Sequence, residues 1–272
     1  MLHKTILAFD MRPLNLAFDP SDPRDRRLKL AAPVGHLPRS VDLRAQFGSI
    51  LDQGDAGTCV AHVVIYVLRF LQGGRVQNSR LFNYWTSRVL ERKPTHTDSA
   101  VSLRQGLKAV LTKGLPLESE WPYSDKATTA RPPDGVYDRA IDYPQLSYER
   151  VGTSLTAMKA CLAAGFPFVF GLRLWDAFTK DGGDAETSGG VLPPPQEAQV
   201  RGGHALTAVG YDDEAGVFIV ANSWGVAWGD KGFCYIPYSV IGDAKWLGDV
   251  WTARFAMGAV PHNHPPFNFR GA

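Results

Sequence analysis

Residues 52–71 read DQGDAGTCVAHVVIYVLRFL, a glycine-rich turn followed at once by a long apolar run. Gly73 and Gly74 end that run, and its composition predicts a buried central helix from Val60 to Leu71. Cys59 then lies in the first turn of the helix, where unpaired backbone N–H groups and the helix dipole stabilise an anion. A thiolate at this position is a candidate nucleophile, provided that an imidazolium pairs with it.

Gln53 lies upstream of Cys59 on a glycine-flanked turn that can fold back toward the start of the helix. Its side-chain amide and the backbone N–H of Cys59 would then be two donors for one oxyanion. The alternative is a tight turn followed by a small buried cysteine, because free cysteine is among the most buried residue types. Taken by itself, the segment favours this alternative.

A predicted β-hairpin that ends just before Asn222 supplies partners for the thiol. If Tyr211 pairs with Val217, His204 and Asn222 project from one face as diagonal neighbours within reach of a hydrogen bond. Asn222 would then hold the imidazole tautomer that leaves the other nitrogen for Cys59. An ordinary hairpin with one exposed histidine is the alternative.

The rest of the chain is helical first and rich in strands second. Residues 1–38 are rich in Pro, Asp and Arg without periodicity, which indicates an extended N-terminal arm. The long segment Asp181–Arg201 has the glycine and proline content typical of a binding loop. Further helices are expected at Ser79–Arg92, Ser102–Thr112 and Ser154–Ala164, and strands at Phe166–Leu172, His204–Tyr211, Val217–Ala221 and Phe233–Pro237.

The composition argues against several classes of partner. Hydrophobic residues make up 44% of the chain and charged residues 21%, as in ordinary globular proteins, and no apolar run has membrane-spanning length. A formal net charge of +2 is too balanced to indicate binding to nucleic acid or to an acidic membrane. The 3 cysteines lie far apart, and residues 1–10 do not resemble an export signal. We therefore expect a reducing compartment such as the cytoplasm.

These motifs together resemble the papain family of cysteine peptidases over roughly Leu37 to Met257. Ala56 stands where that family has a cysteine that forms a disulfide, which agrees with a reducing compartment. The matching segments are Gln53, Ala56-Gly57-Thr58-Cys59-Val60, His204-Ala205, Asn222-Ser223-Trp224-Gly225 and Trp228-Gly229, with weaker matches at Ser40–Arg44, Glu120–Tyr123 and Phe166–Gly171.

The resemblance implies an α+β fold of two lobes with the active-site cleft between them. Residues 39–148 would form a mainly helical lobe that carries Cys59. Residues 149–258 would form a mainly β-barrel lobe that carries His204 and Asn222, and residues 259–272 would be a Pro-rich tail.

The resemblance also implies the chemistry. Peptide bonds would be hydrolysed through a thioester acyl-enzyme, with no cofactor and no metal. Cys59 would be the nucleophile and His204 its base. Asn222 would orient His204, and Gln53 would donate to the oxyanion.

A peptide substrate is expected along the cleft. Asp98-Ser99-Ala100 stands where the family has a glycine pair that lines the cleft, so backbone hydrogen bonds to the substrate are expected there. Residues 1–38 are a candidate pro-segment that would lie in the cleft and inhibit the enzyme; the alternative is a tail that is disordered or merely packed on the surface. The protein is expected to be a monomer. The residues expected to contact substrate are Ser99, Ala100, Gly203, Trp224 and Trp228.

Other interpretations of the same residues remain open at this point. His62 lies on the next turn of the helix from Cys59 and could compete as the partner of the thiol, although packing in the helical lobe is the simpler role. A metal site of Cys59, His62 and His204 fits no recognised zinc spacing. A non-catalytic module that keeps the cleft, or an acyl transferase with the same residues, would share most of the pattern.

Overall fold

The computed structural model describes residues 14–30, 36–143, 146–178, 189–195 and 200–255. The predicted Pro-rich tail and much of the predicted loop Asp181–Arg201 lie outside these ranges. Within them, no helix is both long enough and apolar enough to cross a membrane.

Helices and strands follow one another much as the sequence patterns indicate, and the ends of the predicted elements agree to within about two residues. Strands β4 and β9 below had no counterpart in the prediction. The helices are α1 Arg44–Phe47, α2 Cys59–Leu71, α3 Arg80–Leu90, α4 Leu103–Lys113, α5 Asp134–Asp138, α6 Leu155–Ala163 and α7 Tyr238–Ile241. The strands are β1 Leu16–Ala17, β2 Ser40–Asp42, β3 Val101–Ser102, β4 Leu146–Arg150, β5 Phe168–Leu174, β6 Gly202–Asp212, β7 Val217–Ala221, β8 Phe233–Pro237 and β9 Leu247–Phe255.

Helix α2 forms the centre of the molecule. It is buried from Cys59 to Arg69, as expected of a helix that is apolar on all sides. It packs against α3 and α4 on one side and against β5, β6 and β9 on the other. The Arg69 guanidinium is accommodated because it donates to the carbonyl oxygens of Phe47 and Ser49, at 3.0 and 2.5 Å.

Capping differs between α2 and the helices around it. The side chain of Thr58, the N-cap of α2, accepts no backbone N–H of the first turn, so the N–H groups around Cys59 are not capped by that side chain. The other long helices begin at a serine whose Oγ accepts a backbone N–H, which is the usual cap. These pairs are Ser79 with Phe82, Ser102 with Gln105 and Ser154 with Ala157.

A 7-stranded sheet has the strand order β4-β9-β5-β6-β7-β8, with β2 also paired to β6. All of these pairs are antiparallel. Alternate residues of β5 face opposite sides, as strand geometry requires. Phe168 and Phe170 pack in the core that includes α6 and α7, whereas Val169 packs with α2. The sheet therefore holds β6 directly against the central helix.

The β6–β7 hairpin contains a β-bulge that shifts the pairing of the two strands by one residue. The prediction that Tyr211 pairs with Val217 was wrong, because Tyr211 pairs with Phe218. The register shifts between Ala208 and Gly210, and beyond the bulge the predicted register holds, with Thr207 opposite Ala221. Since a one-residue slip would turn His204 and Asn222 to opposite faces, the bulge is what brings them together.

The described part of the arm, residues 14–30, runs along the body of the protein. Strand β1 pairs in parallel with β3, and Asn15 forms a bridge to Gly203. Further along, Arg27 forms a bridge to Arg150 in β4. The arm is thus extended, as predicted, and contacts both the helical and the strand-rich parts of the chain.

Candidate active site

Cys59 is the first residue of α2 and is fully buried. Burial raises the pKa of its thiol to about 11, while backbone N–H groups of Ala205, Val60 and Cys59 itself act in the opposite direction. The N–H groups of Val60 and Cys59 are those of the helix start, as the sequence indicated. Ala205 belongs to β6, so the strand that carries His204 reaches the thiol. In this state the thiol is protonated at neutral pH.

His204 and Asn222 form a side-chain hydrogen bond, with 2.8 Å between His204 Nε2 and Asn222 Oδ1. Both residues are fully buried, and the Trp224 ring lies 4.9 Å from the imidazole between ring centroids. Because the amide oxygen can only accept, Nε2 carries the proton and Nδ1 is the basic nitrogen of the neutral ring. The residues that the sequence paired across the hairpin are therefore paired in the structure.

Gln53 joins the turn before Cys59 to the segment after Asn222. Its Oε1 accepts the Ser223 hydroxyl at 2.6 Å, and its backbone N–H donates to the Ser223 carbonyl at 2.8 Å. Its Nε2 donates to the Ala56 carbonyl at 2.7 Å. An amide nitrogen carries two hydrogens, so one remains for another acceptor. Gln53, the predicted oxyanion donor, thus lies where the segment before Cys59 and the segment after Asn222 meet.

His62 is held in a separate network behind the thiol. It is fully buried, with 3.0 Å from Nδ1 to the Thr58 carbonyl and 3.2 Å from Nε2 to Nη1 of Arg80. Burial and the charge of Arg80 lower its pKa to about 3, so the ring is neutral. Arg80 must donate to Nε2, which makes Nδ1 the donor to Thr58. Both nitrogens are engaged, which favours the packing role over a role as partner of Cys59.

The same network supports the turn that carries Gln53. The Tyr123 hydroxyl donates to the Gln53 carbonyl at 2.8 Å and lies 2.7 Å from Thr58 Oγ1. Arg80 stacks over the Tyr123 ring at 4.2 Å and pairs with Glu118 at 2.5 Å. Only the segment Glu120–Tyr123 had been singled out in the sequence, and none of these contacts was predicted. In the part of the chain that is described, no group of three His, Cys, Asp or Glu side chains is arranged to hold a metal ion.

The N-terminal arm is an extended chain, and it contacts only some of the residues that were predicted to contact substrate. Ser99 uses its hydroxyl on the Pro94 carbonyl, at 2.9 Å, and the half-buried Ala100 lies next to it. The arm instead pairs with Val101 and Ser102, just beyond them. Gly203 does contact an extended chain, namely the arm. Trp224 and Trp228 pack edge to face at 5.4 Å, beside the imidazole.

Comparison with known proteins identifies the chain. The family model described as papain family cysteine protease matches residues 37–245. The chain belongs to the papain family. An uncharacterized peptidase C1-like protein of Acanthamoeba polyphaga mimivirus is 30% identical over 231 residues, which are 80% of this chain and 73% of that protein. Peptidase 1 of Psoroptes ovis is 25% identical over 210 residues, which are 74% of this chain and 61% of that protein.

Among solved structures, xylellain, a cysteine protease from Xylella fastidiosa, is similar over 89% of this chain and 96% of its own, with 30% identity and a TM-score of 0.81. The predicted papain-like α+β fold and the papain-like cysteine peptidase class are thereby confirmed. The roles of individual residues, the lobe boundaries and the compartment stay predictions.

In this papain-family chain, the arm precedes the matched range and lies on a row of glycines. Leu16 is 8% exposed and packs in the same apolar cluster as Cys59. A Cβ on Gly57 would come 2.1 Å from the Asn15 amide, and one on Gly248 would come 2.3 Å from the Phe18 ring. The glycines in contact with the arm in this way are Gly57, Gly171, Gly202, Gly203 and Gly248, which together we call the glycine trough.

Buried charges fix the arm at one end of the trough. Asp19 accepts hydrogen bonds from Trp251 Nε1 and from the backbone N–H of Arg104, both at 3.1 Å. Asp25 accepts from Arg104 at 2.8 Å and from Arg150 at 2.6 Å. Pairs that are largely removed from water in this way hold a segment more firmly than exposed pairs do.

Proposed function

We propose that this chain hydrolyses peptide bonds through a thioester acyl-enzyme formed on Cys59, and that its N-terminal arm inhibits it. The observation that carries the first part is the His204–Asn222 hydrogen bond of 2.8 Å on the strand whose next residue, Ala205, directs its N–H at the thiol. A nucleophile, a base beside it and a group that orients the base are the parts that acyl transfer to a thiol needs.

The reaction follows from these positions. His204 takes the thiol proton, and the thiolate attacks the peptide carbonyl, whose oxygen becomes an oxyanion held by the Cys59 N–H and the free hydrogen of Gln53 Nε2. The C–N bond breaks as the imidazolium gives its proton to the leaving amine. Water, deprotonated by His204, then attacks the thioester; the C–S bond breaks, the imidazolium returns its proton to the Cys59 sulfur, and the carboxylic acid product leaves. Asn222 keeps the ring aligned throughout.

The test is covalent labelling and turnover. Because the arm must open before the thiol is reached, wild-type protein should gain one adduct on Cys59 only slowly, over a prolonged incubation with an excess of the epoxide inhibitor E-64. Cys59→Ser should lose nearly all of the remaining hydrolysis of a peptide substrate. Cys161→Ala is the matched control, because Cys161 is also fully buried and has a raised pKa of about 12 but lies in the other core cluster. Hydrolysis that persists in Cys59→Ser, without any adduct on Cys59 of the wild type, would contradict the mechanism.

The inhibitory role of the arm is supported by its position. Asn15 lies against Gly57, in the turn that leads to Cys59, and Leu16 lies against Gly171 and Gly203; a peptide substrate bound at this turn needs the same space. Gly248→Ala tests this without changing the arm, because its Cβ would meet the Phe18 ring and displace the arm. We expect hydrolysis to rise by about tenfold, as an overpacked contact implies. Gly135→Ala, whose Cβ meets only the end of Arg139 at 3.4 Å, is the control. Equal rates in both variants would argue against inhibition.

A further inference from the structure

Asp98 lies next to the turn that precedes Cys59, on the segment that leads into β3. Its Oδ2 accepts the backbone N–H of Gly57 at 2.7 Å, and its Oδ1 accepts the Tyr84 hydroxyl. Gly57 belongs to the turn that precedes Cys59. Burial is the main cause of the raised pKa of Cys59, and the negative charge of Asp98 adds to it, so the carboxylate is within electrostatic range of the nucleophile.

The arm presents a hydrogen-bond donor to this carboxylate. Asn15 Nδ2 lies 3.4 Å from Asp98 Oδ1, and the same amide occupies the space that a side chain on Gly57 would fill. The backbone of Asn15 forms a bridge to Gly203, the residue before His204. A substrate residue in the place of Asn15 would therefore lie between the thiol segment and the histidine strand, next to the bond that is cleaved.

The carboxylate keeps room for a cation. Its oxygens offer about four acceptor sites, and the side chain remains exposed with the arm in place. Its hydrogen-bond donors within the described ranges are neutral: Gly57, Tyr84 and Asn15. The Arg88 guanidinium lies behind Tyr84, 4.1 Å above its ring, and donates to backbone carbonyls, including that of Thr97 at 2.6 Å.

We propose that Asp98 determines specificity: its carboxylate pairs with a Lys or Arg side chain of the peptide residue on the acyl side of the scissile bond. The acyl side is indicated because Asp98 contacts Gly57, in the turn that leads to Cys59, and the Cys59 sulfur holds the acyl group. This inference rests on the proposed peptidase function. In the resting chain, the neutral Asn15 amide takes the place of the cation. Charge separates the selective role from a structural one, because an amide at position 98 still accepts hydrogen bonds but pairs with no cation.

The experiment uses the full-length chain with Gly248→Ala and peptide amides that differ only in their last acyl residue, which is Lys, Arg, Gln or Glu. We expect kcat/KM for Lys and Arg to exceed that for Gln by roughly fivefold, the upper range for a partly exposed ion pair, and Glu to be the poorest. Asp98→Asn should abolish these differences, and Asp98→Lys should make Glu better than Lys. Asp125→Asn, which removes a charge beside the neighbouring turn, should keep the Lys-to-Gln ratio.

Several results would overturn the inference. The inference is wrong if the chain with Asp98 intact shows no preference for Lys or Arg. This result does not depend on whether any Asp98 variant folds. An Asp98→Asn variant that loses kcat/KM equally for all peptides, with an unchanged ratio, would show a structural role only. Cleavage of none of the peptides, together with no adduct of E-64 on Cys59, would instead overturn the peptidase proposal and this inference with it.

Discussion

Leu16→Ala should open the arm and expose Cys59 without unfolding the protein. Leu16 is only 8% exposed and packs in the cluster that contains Cys59, so the substitution removes three buried carbons from the packing that holds the arm on that cluster. Each buried CH₂ contributes about 0.8 kcal/mol, and relaxation of the neighbouring side chains recovers a small part of the loss. The free energy that holds the arm closed should therefore fall by about 2 kcal/mol. The open population should therefore rise about 30-fold.

The assay is alkylation of Cys59 by iodoacetamide, followed by mass spectrometry at low reagent concentration. Under these conditions the rate follows the equilibrium population of the open form. Cys161 and Cys234 are fully buried in the other core cluster and report global unfolding in the same sample. Leu111→Ala, at a leucine that is 38% exposed on α4, is the control for the chemical change alone.

Selective labelling of Cys59 in Leu16→Ala, with slow labelling of Cys161 and Cys234, is the expected pattern. A Cys59 rate within twofold of wild type would refute the view that the arm covers the thiol. Parallel acceleration at all three cysteines would refute local opening, because it would mean that the whole chain unfolds more often.

Two further predictions concern the groups around the thiol. Gln53→Glu keeps the shape of the side chain but replaces the Nε2 donor by an acceptor, so kcat should fall roughly 100-fold with a smaller change in KM. Steady-state kinetics in the Gly248→Ala chain measures both constants. An unchanged kcat would exclude Gln53 as the oxyanion donor. His62, whose pKa falls from 6.5 when unfolded to about 3 when folded, binds a proton more readily in the unfolded chain, so stability falls as the pH drops from 6.5 toward 3, by about 1.4 kcal/mol per pH unit. Urea unfolding at several pH values should show a shallower slope for His62→Gln, and equal slopes would place the titration elsewhere.

The sequence predicts the elements that have a regular pattern. Helix α2 is apolar on every side, and β7 and β8 are short runs rich in β-branched and aromatic residues, so their bounds could be read from composition. The pairing of His204 with Asn222 was also predictable, although the assumed turn register was wrong. Val209 looks like any strand residue, and nothing in its side chain marks the bulge that restores the register.

Strand β9 escaped prediction because its polar residues are satisfied by distant partners. Asp249 accepts the backbone N–H of Asp19 from the arm, Thr252 donates to the Pro167 carbonyl, and Arg254 pairs with Glu149. These partners are far away in sequence, so Leu247–Phe255 does not alternate as an isolated strand would. The Arg80 contact, which adds to burial in lowering the pKa of His62, is hidden for the same reason.

The proposed mechanism requires that Cys59 forms a reactive thiolate with His204, which Asn222 orients. The most direct measurement is the pH dependence of Cys59 alkylation in the Leu16→Ala chain, with and without His204→Ala. Opening the arm relieves the burial that raises the pKa of Cys59 to about 11, so we expect half-maximal reactivity below about pH 7, moving to about pH 8.5 in the double variant. A midpoint near pH 8.5 in both chains would contradict it.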